Sequence, residues 1–89
     1  MRFALLNKLR DYTLVRNSGL FDPGFYLSAY PDVAQAGMDP VRHYLDTGWK
    51  EGRNPSAAFN TTLYLKVNRD VEEAGLNPLV HYLRFGRQE

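Results

Sequence analysis

Not one of the 89 residues is a cysteine, which excludes a disulfide framework and any thiolate metal site and fits a reducing, cytosolic setting. Long apolar runs are missing too. The clearest, Phe3 to Leu6, is far too short to span a bilayer or to form a signal-peptide core, so a soluble protein without a transmembrane segment is expected. Charge of either sign is not in excess: the net value of +1 leaves no electrostatic footprint for nucleic acid, whose readers concentrate basic residues on one face. A glycine-rich phosphate loop, a serine or cysteine nucleophile motif, an HExxH pair and an EF-hand loop are all lacking. These absences remove most enzyme classes, and no cofactor is implied.

What the chain does have is internal repetition. Displaced by 38 residues, Phe21 to Glu51 lies on Phe59 to Glu89 without a gap, and 13 of 31 aligned positions are identical. They are Phe21/Phe59, Tyr26/Tyr64, Leu27/Leu65, Asp32/Asp70, Val33/Val71, Ala36/Ala74, Gly37/Gly75, Pro40/Pro78, His43/His81, Tyr44/Tyr82, Leu45/Leu83, Gly48/Gly86 and Glu51/Glu89. A period of a few tens of residues marks stacked supersecondary units. The length suits one domain, with an apolar fraction of 44% and 13% aromatic residues to build its interior. A chain this small buries a modest share of its surface, so a stability of about 5–9 kcal/mol is expected.

The class expected is all-α: an N-terminal amphipathic helix followed by two tandem repeats of three short helices each. In residue terms this is one helical repeat domain over 1–89, with the N-terminal helix in 1–20, the first repeat in 21–56 and a truncated second repeat in 59–89. In residues 3–16, Leu5, Leu9 and Tyr12 form an apolar stripe widened by Leu6 and Val15, and Asn17-Ser18-Gly19 ends the helix. That stripe suits either a membrane surface or a cover for the open side of the first repeat. Asp22-Pro23 and Asp39-Pro40 each read as an N-cap followed by proline at the first helical position. Gly37 and Gly48, like Gly75 and Gly86, read as terminators. In the second copy Asn60 and Asn77 replace the two capping aspartates. An amide accepts a backbone N–H as a carboxylate does but cannot titrate, so these positions are architectural. Asn68 reads as a further cap where Pro31 has become Arg69. Phe25, Tyr26, Val41, Tyr44, Leu45 and Trp49, with Leu63, Tyr64, Leu79, Tyr82, Leu83 and Phe85, are expected to form the interior.

The remaining repeated polar groups are candidates for chemistry or recognition. His43 and His81 can be read as a proton shuttle or half of a metal site, or as edge imidazoles donating to a carbonyl or carboxylate. Asp32 and Asp70 can be binding carboxylates, or can serve the positive end of a short helix or a salt bridge. Arg53 suits a bridge from the connecting segment to an aspartate of its own repeat. Trp49 offers a flat face to a sugar ring or a lid over the core. Duplicating a whole unit suits a recognition surface better than an enzyme, which needs one asymmetric constellation.

The stretch FDPGFYLSAYPDVAQAGMDPVRHYLDTGWKEGRNPS resembles a bacterial repeat of the pattern FDxxYYLxxNPDVAxAGxxPLxHYLxxGxxEGRxP. Phe21, Asp22, Tyr26, Leu27, Pro31, Asp32, Val33, Ala36, Gly37, Pro40, His43, Tyr44, Leu45, Gly48, Glu51, Gly52 and Arg53 carry the match. The second copy matches it through NPLVHYLRFGRQE, with Arg69 in place of the proline, and reaches Glu89 before any Gly-Arg pair. Such repeats are found beside glycosyltransferase, rhamnan-synthesis and other surface-polysaccharide domains and in long repeat proteins. The resemblance implies a non-catalytic helical interaction module, or a small accessory subunit, in the bacterial cytoplasm or peripheral to membrane-associated machinery. Its partner would be a protein or a polysaccharide, met through Trp49, His43, His81, Asp32, Asp70 and Arg53. The alternative from another class is an enzyme or metal-binding domain using His43 and His81 with Asp32 and Asp70. Binding of DNA through a helical pair would require a basic stripe on one face.

Overall fold

The computed structural model describes residues 2–86, and side chains from Leu5 onward. Within them the chain is all-helical: α1 (Arg2–Arg16), α2 (Pro23–Ala29), α3 (Pro31–Gln35), α4 (Pro40–Asp46), α5 (Thr61–Val67), α6 (Arg69–Ala74) and α7 (Pro78–Arg84), with a 3-10 turn at Gly48–Glu51. No strand occurs among the described residues, only one isolated bridge between Ser56 and Phe59. Glu89, the counterpart of Glu51 in the repeat's last identity, and with it the end of the expected second repeat lie outside the described residues.

Local chemistry sets the helix boundaries. The Asp22 carboxylate accepts from Phe25 N at 3.1 Å, and Asn60 Oδ1 accepts from Leu63 N at 2.9 Å. Asp39 accepts from Val41 N and Arg42 N, and Asn77 from Leu79 N and Val80 N. These are the donors that a helix start leaves without an intrahelical partner. Gly37 and Gly75 have φ of +67° and +70°, the left-handed conformation that releases the chain from α3 and α6.

Three positions expected to do the same kind of work, Asn68, Gly48 and Gly86, do something else. The Asn68 side chain accepts no N–H at the start of α6; its Nδ2 instead donates back to Tyr64 O at 2.9 Å, closing α5. Gly48 has no positive φ, and Thr47 already ends α4. A Cβ at Gly48 would lie 2.0 Å from the Tyr26 hydroxyl, and one at Gly86 would lie 2.9 Å from the Tyr64 hydroxyl. Glycine is required there by a close approach of side chains, not by backbone conformation.

The interior is an aromatic cluster in which Val15, Phe21, Tyr26, Val33, Val41 and Tyr44 pack with Phe59, Leu79 and Leu83. Phe21, Tyr26 and Tyr44 form a triangle of ring centroids at 5.3, 5.9 and 6.1 Å, the last pair nearly perpendicular. Phe59, Tyr64 and Tyr82 form another at 5.4, 5.8 and 6.1 Å. Helix α1 packs against both α4 and α7. The Tyr12 hydroxyl donates to Asp39, and Arg84 donates to Asp11 at 2.8 Å.

Part of the apolar content expected in the interior is exposed. Leu63 and Phe85 are 56% and 58% exposed, so the core of the second half is smaller than its apolar content. In α1, Leu5 and Leu9 are 60% and 53% exposed and Leu6 is exposed with them. The buried contacts of α1 come from Tyr12, Leu14 and Val15 near its C-terminal end.

Candidate functional site

The connection after α4 is where polar side chains converge. The 3-10 turn Gly48–Glu51 ends at Gly52, whose φ of +79° turns the chain back along the first half. Arg53, Asn54, Pro55 and Ser56 then run across it as a strap. The Arg53 guanidinium forks onto both oxygens of Asp32 at 2.9 and 2.8 Å and reaches Glu51 through Nε at 2.9 Å. It also lies 4.8 Å from the centroid of the Tyr30 ring. Planar guanidinium geometry matches a carboxylate in this bidentate way and stacks on an aromatic face, which an ammonium does not do. The paired guanidinium holds the Asp32 carboxyl below the ordinary aspartate range, and the carboxylate in turn raises Arg53.

The backbone of the strap is held as firmly. Asn54 N donates to the Tyr30 hydroxyl at 2.7 Å, and Asp22 N donates to the Pro55 carbonyl at 2.9 Å. Thr61, fully buried at the start of α5, donates its single hydroxyl proton to the Arg53 carbonyl at 2.7 Å. That hydroxyl must then accept from Tyr44, whose oxygen stands 2.9 Å away. Thr61 N donates to Asn54 Oδ1 at 2.9 Å. A run of buried and half-buried groups thus joins α4, the strap and α5.

The histidines are brought to two separate partners. His43 Nδ1 is 2.8 Å from the Tyr26 hydroxyl in a buried setting, and His81 Nδ1 is 2.8 Å from the Tyr64 hydroxyl in a half-buried one. The partner is a phenol, where a carbonyl or carboxylate was expected, and the imidazole tautomer decides which group donates. Burial holds the Tyr26 and Tyr44 phenols well above the ordinary tyrosine range, so both stay protonated. Both tyrosines of these pairs stand 17 residues before their histidines. That duplicated spacing was the sequence signal for them.

The remaining candidates are dispersed. Trp49 is half-buried against the core cluster, with the Lys50 ammonium 5.9 Å from its ring. Asp70 is exposed and makes no ion pair among the described residues, although its counterpart Asp32 is forked by Arg53. No group of three or more histidine, aspartate or glutamate side chains suited to a metal ion occurs among the described residues. Among them, too, no helix is long and apolar enough to cross a membrane. The polar network joins α4, the strap and α5.

Surface chemistry differs sharply between the halves. An open cavity of about 360 Å³ lies on the second half, lined chiefly by Phe59, Leu63, Tyr64, Val67, Asn68 and Tyr82. Val67 is 72% exposed beside Leu63, so two apolar side chains one turn apart on α5 meet solvent. No family model, curated protein or solved structure matches the chain.

Proposed function

We propose that the chain is a non-catalytic interaction module made of two copies of a three-helix unit, with α1 bridging them. Its task is to hold a partner against the second copy. The observation that carries this reading is the exposed apolar face formed by Leu63 and Val67 over the cavity lined by Phe59, Tyr64 and Tyr82. Apolar side chains grouped on the surface of a small domain cost solubility and are kept where a partner covers them. The reading as a duplicated scaffold is supported by the recurring distances of the aromatic triangles and of the tyrosine–histidine bonds. Each histidine is committed to a tyrosine 17 residues before it, which gives the enzyme or metal reading no observation in its favour.

The setting proposed is the bacterial cytoplasm, as an accessory to glycosyltransferase or surface-polysaccharide machinery, on the strength of the resemblance of residues 21–56 to repeats found beside such domains. The partner is a protein or a glycan of that machinery. The test compares what the intact chain and the Leu63→Asp/Val67→Asp variant retain from the source cell, with Leu5→Asp as a control for a surface leucine changed to aspartate. Loss of the same ligand from the doubly substituted chain alone is the expected result. Retention of an identical set by all three chains overturns the reading.

A further inference from the structure

Between α1 and α7 lies a cleft of about 330 Å³, at the small end of the range of roughly 300–1,000 Å³ in which ligand sites fall. Arg10 and Asp11 line it from α1, and Asn77, Val80, His81 and Arg84 line it from the start and the length of α7. It shares no lining residue with the cavity beside Leu63 and Val67. We propose that this cleft binds a small carboxylate with a flat apolar body.

Donors gather here while the acceptors are already spent. Asn77 Oδ1 accepts from Leu79 N and Val80 N, which identifies the other side-chain atom as the amide nitrogen. That Nδ2 is the only buried side-chain nitrogen or oxygen among the described residues without a hydrogen-bond partner, a costly condition that a ligand acceptor would relieve. The first copy shows the same place satisfied: its counterpart Asp39 is met by the Tyr12 hydroxyl of α1. The backbone donors at the start of α7 are taken by Oδ1, so recognition falls to side chains. Arg84 engages Asp11 through Nη2 at 2.8 Å and keeps further N–H groups to give. Arg10 is exposed and makes no ion pair among the described residues. His81 bonds to Tyr64 through Nδ1; where Nδ1 accepts, Nε2 carries the proton and adds a donor. Two guanidiniums against one carboxylate leave a charge of +1, which suits a monoanion, exceeds nothing a phosphate dianion needs and repels a metal cation. The rest of the wall is apolar. Leu76 and Phe85 are 48% and 58% exposed, and the Phe85 ring lies 5.3 Å from the His81 ring. A hydroxyl-rich acid would lose water against this wall without a return in hydrogen bonds.

The test is a titration of the isotope-labelled full chain at pH 7 with benzoate, read by amide chemical shifts, with benzamide, glucuronate and phosphate as parallel arms. Benzoate moves the amides of Arg10, Asp11, Asn77 and His81 with a dissociation constant on the order of 1 mM, as befits so few atoms. Each of the other three binds at least about tenfold more weakly. Asn77→Asp keeps an acceptor for the α7 cap, as Asp39 does for α4, but replaces the orphaned donor by a negative oxygen. It retains the wild-type melting temperature and loses benzoate at least about tenfold, and Arg10→Gln loses about three- to fivefold. Asn60→Asp makes the same exchange at the α5 cap, outside the cleft, and binds as wild type. No shifts at 50 mM benzoate (roughly fifty times the expected constant), shifts away from the cleft, or unchanged affinity in Asn77→Asp each overturn the proposal. Benzamide as strong as benzoate overturns the role of charge; glucuronate or phosphate as strong overturns the ligand class. The Leu63→Asp/Val67→Asp chain keeps its affinity for benzoate, so this site and the partner-binding face fail or stand separately.

Discussion

Residues 21–58 and 59–86 contain the same aromatic triangle and the same tyrosine–histidine bond, yet among the described residues only the first half is closed over. Tyr26 and Tyr44 are fully buried and His43 nearly so, whereas Tyr64, Tyr82 and His81 are half-buried. The triangles agree to within about a tenth of an ångström, so the difference does not lie inside the units. It lies in what covers them. The first has the strap, the 3-10 turn and Thr61 over its tyrosines; the second exposes Leu63 and Val67 at the corresponding face. The geometry within a unit is thus set by its own residues, and its burial by the segment of chain packed over it.

The sharpest way to break this comparison is to remove a tyrosine from each triangle. Tyr44→Ala is expected to cost about 3–5 kcal/mol, the range for a large buried aromatic, and so to unfold much of the protein near body temperature. Tyr82→Ala, half-buried, is expected to cost about 2 kcal/mol. Equal losses in urea-denaturation midpoints would mean that the two halves are equally closed.

The glycines behind the tyrosine hydroxyls give the next effect. Gly48→Ala places a methyl 2.0 Å from the Tyr26 hydroxyl and 3.3 Å from His43 Nδ1, in a site with no free volume. The expected loss is about 3 kcal/mol from overpacking and a broken buried hydrogen bond. Gly86→Ala meets the Tyr64 hydroxyl at 2.9 Å in a half-buried site where the side chains can shift, and about 1 kcal/mol is expected. Thermal denaturation of the two variants measures the difference.

How much of this was legible in the sequence varies with the range of the interaction. Helix starts at Asp22-Pro23 and Asp39-Pro40 were readable, because a cap and a proline act within one turn. The all-helical class came from them. Gly48 was readable as necessary but not for its reason: the hydroxyl it makes room for belongs to Tyr26, which the fold brings across from another helix. Asn68 misled, since an amide offers both a donor and an acceptor and only the fold decides which is used. In α1, helical spacing showed which leucines share a side but not how much of the helix finds a partner, and Leu5, Leu6 and Leu9 remained outside. Arg53 was readable as a bridge, and Asp32 as a salt-bridge partner, because both are charged groups within one repeat. Thr61, the buried link to Tyr44, carried no signal that distinguishes it from its neighbour Thr62.

That pair of threonines sharpens the account of the junction. Thr61→Val keeps the shape but leaves the Tyr44 hydroxyl and the Arg53 carbonyl without a partner, at an expected cost of about 2 kcal/mol. Thr62→Val, exposed, is expected within about 0.5 kcal/mol of the wild type. Double-mutant cycles with Tyr44→Phe place the coupling on the hydroxyl pair.

The smallest effect is the response to acid. The folded-state pKa of Asp32 is depressed by Arg53, so its contribution is present above the unfolded aspartate value of about 3.9 and is lost as pH falls below it. Strap amides of Arg53 and Asn54 should shift as pH is lowered through that range. In Arg53→Ala the acid response of the strap disappears.

Hydrogen exchange at matched amides tests the central claim most directly. Tyr30 N and Asn68 N bond to Tyr26 O and Tyr64 O at 2.9 Å each, and Thr47 N and Phe85 N bond to His43 O and His81 O at 2.9 Å each. If coverage alone separates the halves, Tyr30 and Thr47 exchange at least about tenfold more slowly than Asn68 and Phe85 under native conditions. Equal protection across both pairs, or greater protection at Asn68 and Phe85, would contradict the account.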